Sequence, residues 1–74
     1  MPMEYLIVRC SQERSVLIGG IDHGKTDEMI ELEGGTYTVT LKLEPGDGCL
    51  PTCHEVKLLN TTAINPCEVT FALA

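Results

Sequence analysis

Thr36-Tyr37-Thr38-Val39-Thr40-Leu41-Lys42-Leu43 decides the fold. Tyr37, Val39, Leu41 and Leu43 alternate without a break against Thr36, Thr38, Thr40 and Lys42. Successive side chains of a strand point to opposite faces, so this period of two puts the apolar set on one face and the polar set on the other. A helix, with about 3.6 residues per turn, would scatter the same apolar residues around its circumference. Threonine and valine also favour the pleated chain. The stretch is therefore expected to be a half-buried antiparallel strand.

The same reading extends outward from both ends. Before it, Gly34-Gly35 reads as a turn, because glycine adopts positive φ at little steric cost. Glu28 to Glu33 then alternates, with Ile30 and Leu32 inward, Glu31 and Glu33 outward and Met29 on the outer parity. After it, Glu44-Pro45-Gly46-Asp47-Gly48 breaks the strand and opens a loop that runs through Cys49-Leu50-Pro51-Thr52-Cys53. His54 to Leu59 resumes with Val56 and Leu58 inward. Asn60 to Pro66 connects, and Cys67 to Leu73 closes the chain with Cys67, Val69, Phe71 and Leu73 on one face. At the beginning, Met3 to Cys10 sets Leu6, Val8 and Cys10 against Tyr5, Ile7 and Arg9. A polar turn at Ser11 to Arg14 follows, and Ser15 to Ile18 forms a short strand with Val16 and Ile18 facing together.

About six strands, short connections and no helical periodicity imply an all-β fold. The architecture expected is one domain over residues 1–74, a small antiparallel β-sandwich or partly open barrel. Its predicted core is Leu6, Val8, Val16, Ile18, Ile30, Leu32, Tyr37, Val39, Leu41, Val56, Leu58, Val69 and Phe71.

Composition bounds the partners. Seventy-four residues lie near the lower end of what folds alone, and 43% hydrophobic content is ample for a core. A net charge of −6 repels nucleic acid and anionic membrane, so neither is expected as a partner. Aromatic content of 4% is too low for a base-stacking platform. The first residues carry no basic segment ahead of a long apolar run, so a cytoplasmic chain is expected, unless it is a fragment of a longer exported protein. Reduced thiols follow from that, and the sequon Asn60-Thr61-Thr62 is read as chance.

Gly19-Gly20-Ile21-Asp22-His23-Gly24-Lys25-Thr26 matches the phosphate-binding loop pattern, and it resembles the Gly-x-x-Asp-His-Gly-Lys-Thr signature of translational GTPases. A working phosphate loop leaves a buried strand and opens a helix whose first amides hold the phosphates. Here the strand Ser15 to Ile18 precedes it, but the residues after it alternate like a strand and stop at Gly34-Gly35. Asp27, Glu28, Glu31 and Glu33 would crowd a bound triphosphate. No later Asn-Lys-x-Asp reads a guanine base. Nucleotide binding is therefore rejected, and the stretch is expected to be a hairpin connection with its Asp and His in solvent.

A resemblance runs further along the chain. Val16-Leu17-Ile18-Gly19-Gly20, then Gly24-Lys25-Thr26, then Ile30-Glu31-Leu32-Glu33-Gly34-Gly35-Thr36-Tyr37-Thr38-Val39 resembles the PEGA domain over about residues 16–39. In that cadence a strand ends in Gly, a loop carries Gly-Lys-Thr, and a strand leads into Gly-x-Tyr-x-Val. The resemblance implies a β-sandwich and a non-catalytic binding or surface module, and it carries over no functional residues.

One other cluster carries chemistry. Cys49, Cys53 and His54 supply two thiolates and an imidazole, a possible zinc site completed by Cys10, Cys67 or His23. The alternatives are a Cys49–Cys53 disulfide, with Pro51 bending the loop, and plain loop thiols. A Cys–His nucleophile is disfavoured, since neighbouring side chains on a strand point apart and no orienting carboxylate or oxyanion donor stands at recognisable spacing. No catalytic residue and no cofactor other than zinc is expected. The expectation for function is a non-catalytic structural or protein-interaction module; its partner and oligomeric state are not legible. The alternative is a small metal-binding or redox-sensitive module built on Cys49, Cys53 and His54.

Overall fold

The computed structural model describes residues 3–73, so residues 1, 2 and 74 of the expected domain lie outside the described part. The described residues form nine strands: β1 Met3–Arg9, β2 Ser15–Ile18, β3 Ile21–Lys25, β4 Ile30–Glu33, β5 Gly35–Leu41, β6 Cys49–Leu50, β7 His54–Leu58, β8 Cys67–Thr70 and β9 Ala72–Leu73. One sheet has the order β4-β1-β8 and a second β3-β2-β5-β7, with β6-β9 as a small pair. No barrel closes. The all-β expectation holds.

Three elements exceed the expected count, each for a physical reason. β3 lies inside the stretch read as a connection. Its residues are exposed apart from half-buried Gly24, so it buries no alternating apolar face and gives no period-two signal. β6 and β9 pair only Cys49 with Leu73 and Leu50 with Ala72, too short to show a pattern. The expected last strand also splits at Phe71.

Pairing is not antiparallel throughout. β1 pairs with β4 antiparallel, but with β8 in parallel, Leu6 opposite Cys67 and Val8 opposite Val69. The chain crosses from the first sheet to the second at Gly34, between β4 and β5. The double glycine therefore joins two sheets rather than turning a hairpin. Tyr37 fixes this corner, its hydroxyl donating to the carbonyl of Glu33 at 2.6 Å. A tyrosine tying a strand's start to the backbone just upstream is a known device of β-sandwich corners.

One core lies between the sheets. Leu6, Val8, Ile30 and Leu32 from the first meet Val16, Ile18, Val39, Leu41, Val56 and Leu58 from the second, with Phe71 and Cys49 completing the cluster. Tyr37 and Val69, expected in the core, are only half-buried at its margin. Cys49, read as a loop thiol, is 8% exposed and belongs to the core.

Among the described residues two polar side chains, Glu4 and Thr26, are buried with partners. Glu4 is 7% exposed, on the inward parity of Leu6 and Val8. One carboxylate oxygen accepts the N–H and the hydroxyl of Thr61, each at 2.7 Å, while the Thr61 hydroxyl accepts the N–H of Tyr5 at 2.7 Å. These bonds tie the β7–β8 connection to the start of β1. They hold the Glu4 carboxyl below its ordinary range, the Thr61 N–H contributing most.

Candidate functional site

The Gly19–Thr26 stretch is a hairpin, and its local chemistry explains why. Ile18 pairs with Ile21 across Gly19 and Gly20, whose φ angles are 57° and 85°. Positive φ at both central residues defines the turn that matches the twist of paired strands. Further along, Val16 faces Gly24 but Leu17 faces Asp22, so His23 is the extra residue of a bulge. Gly24 takes φ 136° there, and its N–H donates to the Asp22 carboxylate at 2.9 Å.

Amides of the stretch and its flank are donated within the chain. Gly19 N–H goes to Thr38 O at 3.0 Å, Thr26 N–H to Arg14 O at 2.9 Å and Asp27 N–H to Val8 O at 2.8 Å. Thr26 is 3% exposed, and its hydroxyl accepts the N–H of Arg14 at 3.1 Å. Lys25 reaches the carboxylate of Glu13 at 3.5 Å, in solvent. Asp27, at φ 63°, ends the hairpin and pairs with Arg9 at 3.1 Å.

The Cys49–His54 residues are not brought together. Cys49 faces the core from β6, whereas Cys53 is exposed in the loop before β7. His54 is half-buried at the start of β7, its Nε2–H donating to the carbonyl of Thr70 at 2.8 Å. Its ring meets Phe71 edge-on at a centroid distance of 4.8 Å. The imidazole thus links the edge of the second sheet to β8. Cys10 and Cys67 sit half-buried against the core, where burial pushes the Cys67 thiol up. All four cysteines are free thiols. Among the described residues no three His, Cys, Asp or Glu side chains gather closely enough to hold a metal. His23, considered as a fourth ligand, is an exposed residue of β3.

A cleft of about 230 Å³ lies beside β2, lined in part by Arg14, Lys25 and Lys42 with Glu13 and Glu44. Its positive charge is largely answered. Arg14 places Nη2 2.9 Å and Nε 3.2 Å from one oxygen of Asp47, and its Nη1 donates to Glu13 O at 2.8 Å. The guanidinium holds the Asp47 carboxyl below its ordinary range, with help from the N–H of Glu44. The arrangement locks the Glu44–Asp47 turn.

The burial of Glu4, Thr26 and Cys49 is not anticipated from the sequence. Glu4 had a signal, since it shares the parity of Leu6 and Val8. Thr26 had none beyond its place in a motif of different meaning.

Two short sheets around one core, with the buried side chains of Glu4 and Thr26 bonded to backbone, define a small all-β module. The PEGA domain family model matches residues 5–45, from β1 to just past β5, and the chain belongs to that family. The match covers more than half of the chain and extends beyond both ends of the stretch whose cadence carries the resemblance. No curated protein and no solved structure matches the chain.

Proposed function

We propose that this chain is a non-catalytic protein-interaction module. One observation carries the reading: three side chains of the candidate sites, Thr26, His54 and Cys49, hold the fold together. The Thr26 hydroxyl accepts the Arg14 amide, the His54 ring bonds Thr70 and packs on Phe71, and Cys49 fills the core. A polar atom already bonded inside the fold, or a thiol buried in the core, serves the scaffold. Family membership agrees with a modular role and names no partner. The reading keeps the chain in the cytoplasm, where its four cysteines would stay reduced.

The test is a thermal-shift comparison of the purified chain with zinc, with chelator, and with ATP or GTP plus Mg²⁺. The reading expects no shift in melting temperature with any of them. A saturable rise with one small ligand, or a fall on chelation, would replace it.

A further inference from the structure

The β4-β1-β8 sheet has two faces, and the core accounts for only one. The inward face carries Glu4, Leu6, Val8, Ile30 and Leu32. Along the middle of the outward face run Met3, Tyr5 and Ile7, ending at Arg9, whose charge is taken up by Asp27 and Glu68, with Met29 one step before β4 on the same parity. Met3 and Met29 are each 41% exposed, and Tyr5 and Ile7 are half-buried between neighbouring strands. Carboxylates border this stripe on both sides. Glu33 stands opposite Met3 and Glu31 opposite Tyr5 on β4, while Glu68 stands opposite Ile7 on β8. Glu68 is answered by Arg9 at 3.2 Å; Glu31 and Glu33 form no ion pair among the described residues.

An apolar centre of Met, Tyr and Ile within a charged rim is the anatomy of a protein interface. Charge then selects the occupant. A second copy of this chain, itself at −6, would bring acidic rim against acidic rim. An anionic membrane surface is repelled in the same way. A protein segment in which lysine or arginine alternates with apolar residues satisfies both parts of the surface. Its apolar side chains would cover Met3, Tyr5, Ile7 and Met29, and its cations would reach Glu31 and Glu33.

We infer that the outward face of the β4-β1-β8 sheet docks a basic, apolar-alternating segment of a partner protein. The inference rests on the interaction-module reading and gives that module a surface and a partner chemistry.

The experiment uses the full chain, labelled with ¹⁵N and with ¹³C at the methionine methyls. It is titrated with a synthetic peptide alternating lysine with valine. One control peptide replaces lysine by glutamate, and another replaces valine by serine. The expected result is perturbation of the Met3 and Met29 methyls and of the Tyr5, Ile7 and Glu31 amides by the lysine–valine peptide alone. Ile7→Thr, and Glu31→Gln with Glu33→Gln, should each weaken binding about fivefold, on the order of 1 kcal/mol.

Perturbation centred on Lys25 and Lys42, equal binding of the glutamate peptide, or equal binding of the serine peptide would overturn the assignment of this face. Because mapping needs only the wild-type chain, a variant that failed to fold would leave the test intact. Zinc and MgATP are titrated in parallel. If one saturates at Cys53 or at Gly24–Thr26 while no peptide binds anywhere, the module reading falls too; if peptides bind at another face, only this inference falls.

Discussion

The hydroxyl of Thr26 accepts the backbone N–H of Arg14 at 3.1 Å, while the N–H of Thr26 donates to the carbonyl of Arg14 at 2.9 Å. Through this pair of bonds the last residue of a phosphate-loop motif closes a β-hairpin. Thr26→Val keeps the shape, removes the acceptor and leaves the Arg14 N–H without that partner. Denaturant unfolding should show a loss of about 1–2 kcal/mol. Lys25→Ala, next to it in solvent, should change stability by less than about 0.5 kcal/mol. Equal effects of the two substitutions would count against the hairpin account.

Glu4 and Thr61 make stability depend on pH. The two bonds from Thr61 hold the folded-state pKa of Glu4 below its ordinary value of 4.5. The stabilisation is therefore fully present above that ordinary value and is lost as pH falls through the lower folded-state value. In Glu4→Gln this component of the acid dependence should disappear, leaving a flatter stability profile below the ordinary value. Parallel profiles for the two proteins would show that the Thr61 bonds do not favour the carboxylate.

The corner at Gly34 predicts a separable role for Tyr37. Its hydroxyl bonds the Glu33 carbonyl at 2.6 Å, and its ring borders the core. Tyr37→Phe should cost about 0.5–1 kcal/mol, the range for one partly solvated hydrogen bond. Tyr37→Ala should cost more, because the ring's packing goes as well. A Tyr37→Phe chain as stable as the wild type would remove the hydroxyl from the account.

The glycines of the hairpin turn should respond to conformation alone. A Cβ on Gly19 or Gly20 would meet nothing within 4 Å, so no clash confuses the result. Gly19, at φ 57°, lies where asparagine is tolerated, and Gly19→Asn should be close to neutral. Gly20→Ala, at φ 85°, should cost about 1–2 kcal/mol. Thermal melts of the two variants decide it, and the reverse order would exclude the turn described.

The strands with one buried face were legible in the sequence because burial writes a period of two. β5 is the clearest, with Val39 and Leu41 buried against exposed Thr38 and half-buried Thr40. β3 was not legible, since Ile21 to Lys25 form an exposed edge whose pairing comes from the turn and the bulge. The parallel pairing of Leu6 with Cys67 joins distant parts of the chain, and no local pattern encodes a partner at that separation. At the candidate sites, the alternation after Thr26 argued against a phosphate-binding helix. The burial of Cys49 leaves no trace in the sequence because a two-residue strand has no period, and the Thr61 clamp on Glu4 belongs to tertiary structure alone.

The central claim is that Gly19–Thr26 belongs to a β-hairpin in which the amides of Gly19, Gly24 and Thr26 are already bonded within the chain. The most direct measurement is an amide NMR titration with ATP or GTP in the presence of Mg²⁺. The account predicts that the resonances of Gly24, Lys25 and Thr26 stay where they are at millimolar nucleotide. Large, saturable shifts at those three amides would contradict it.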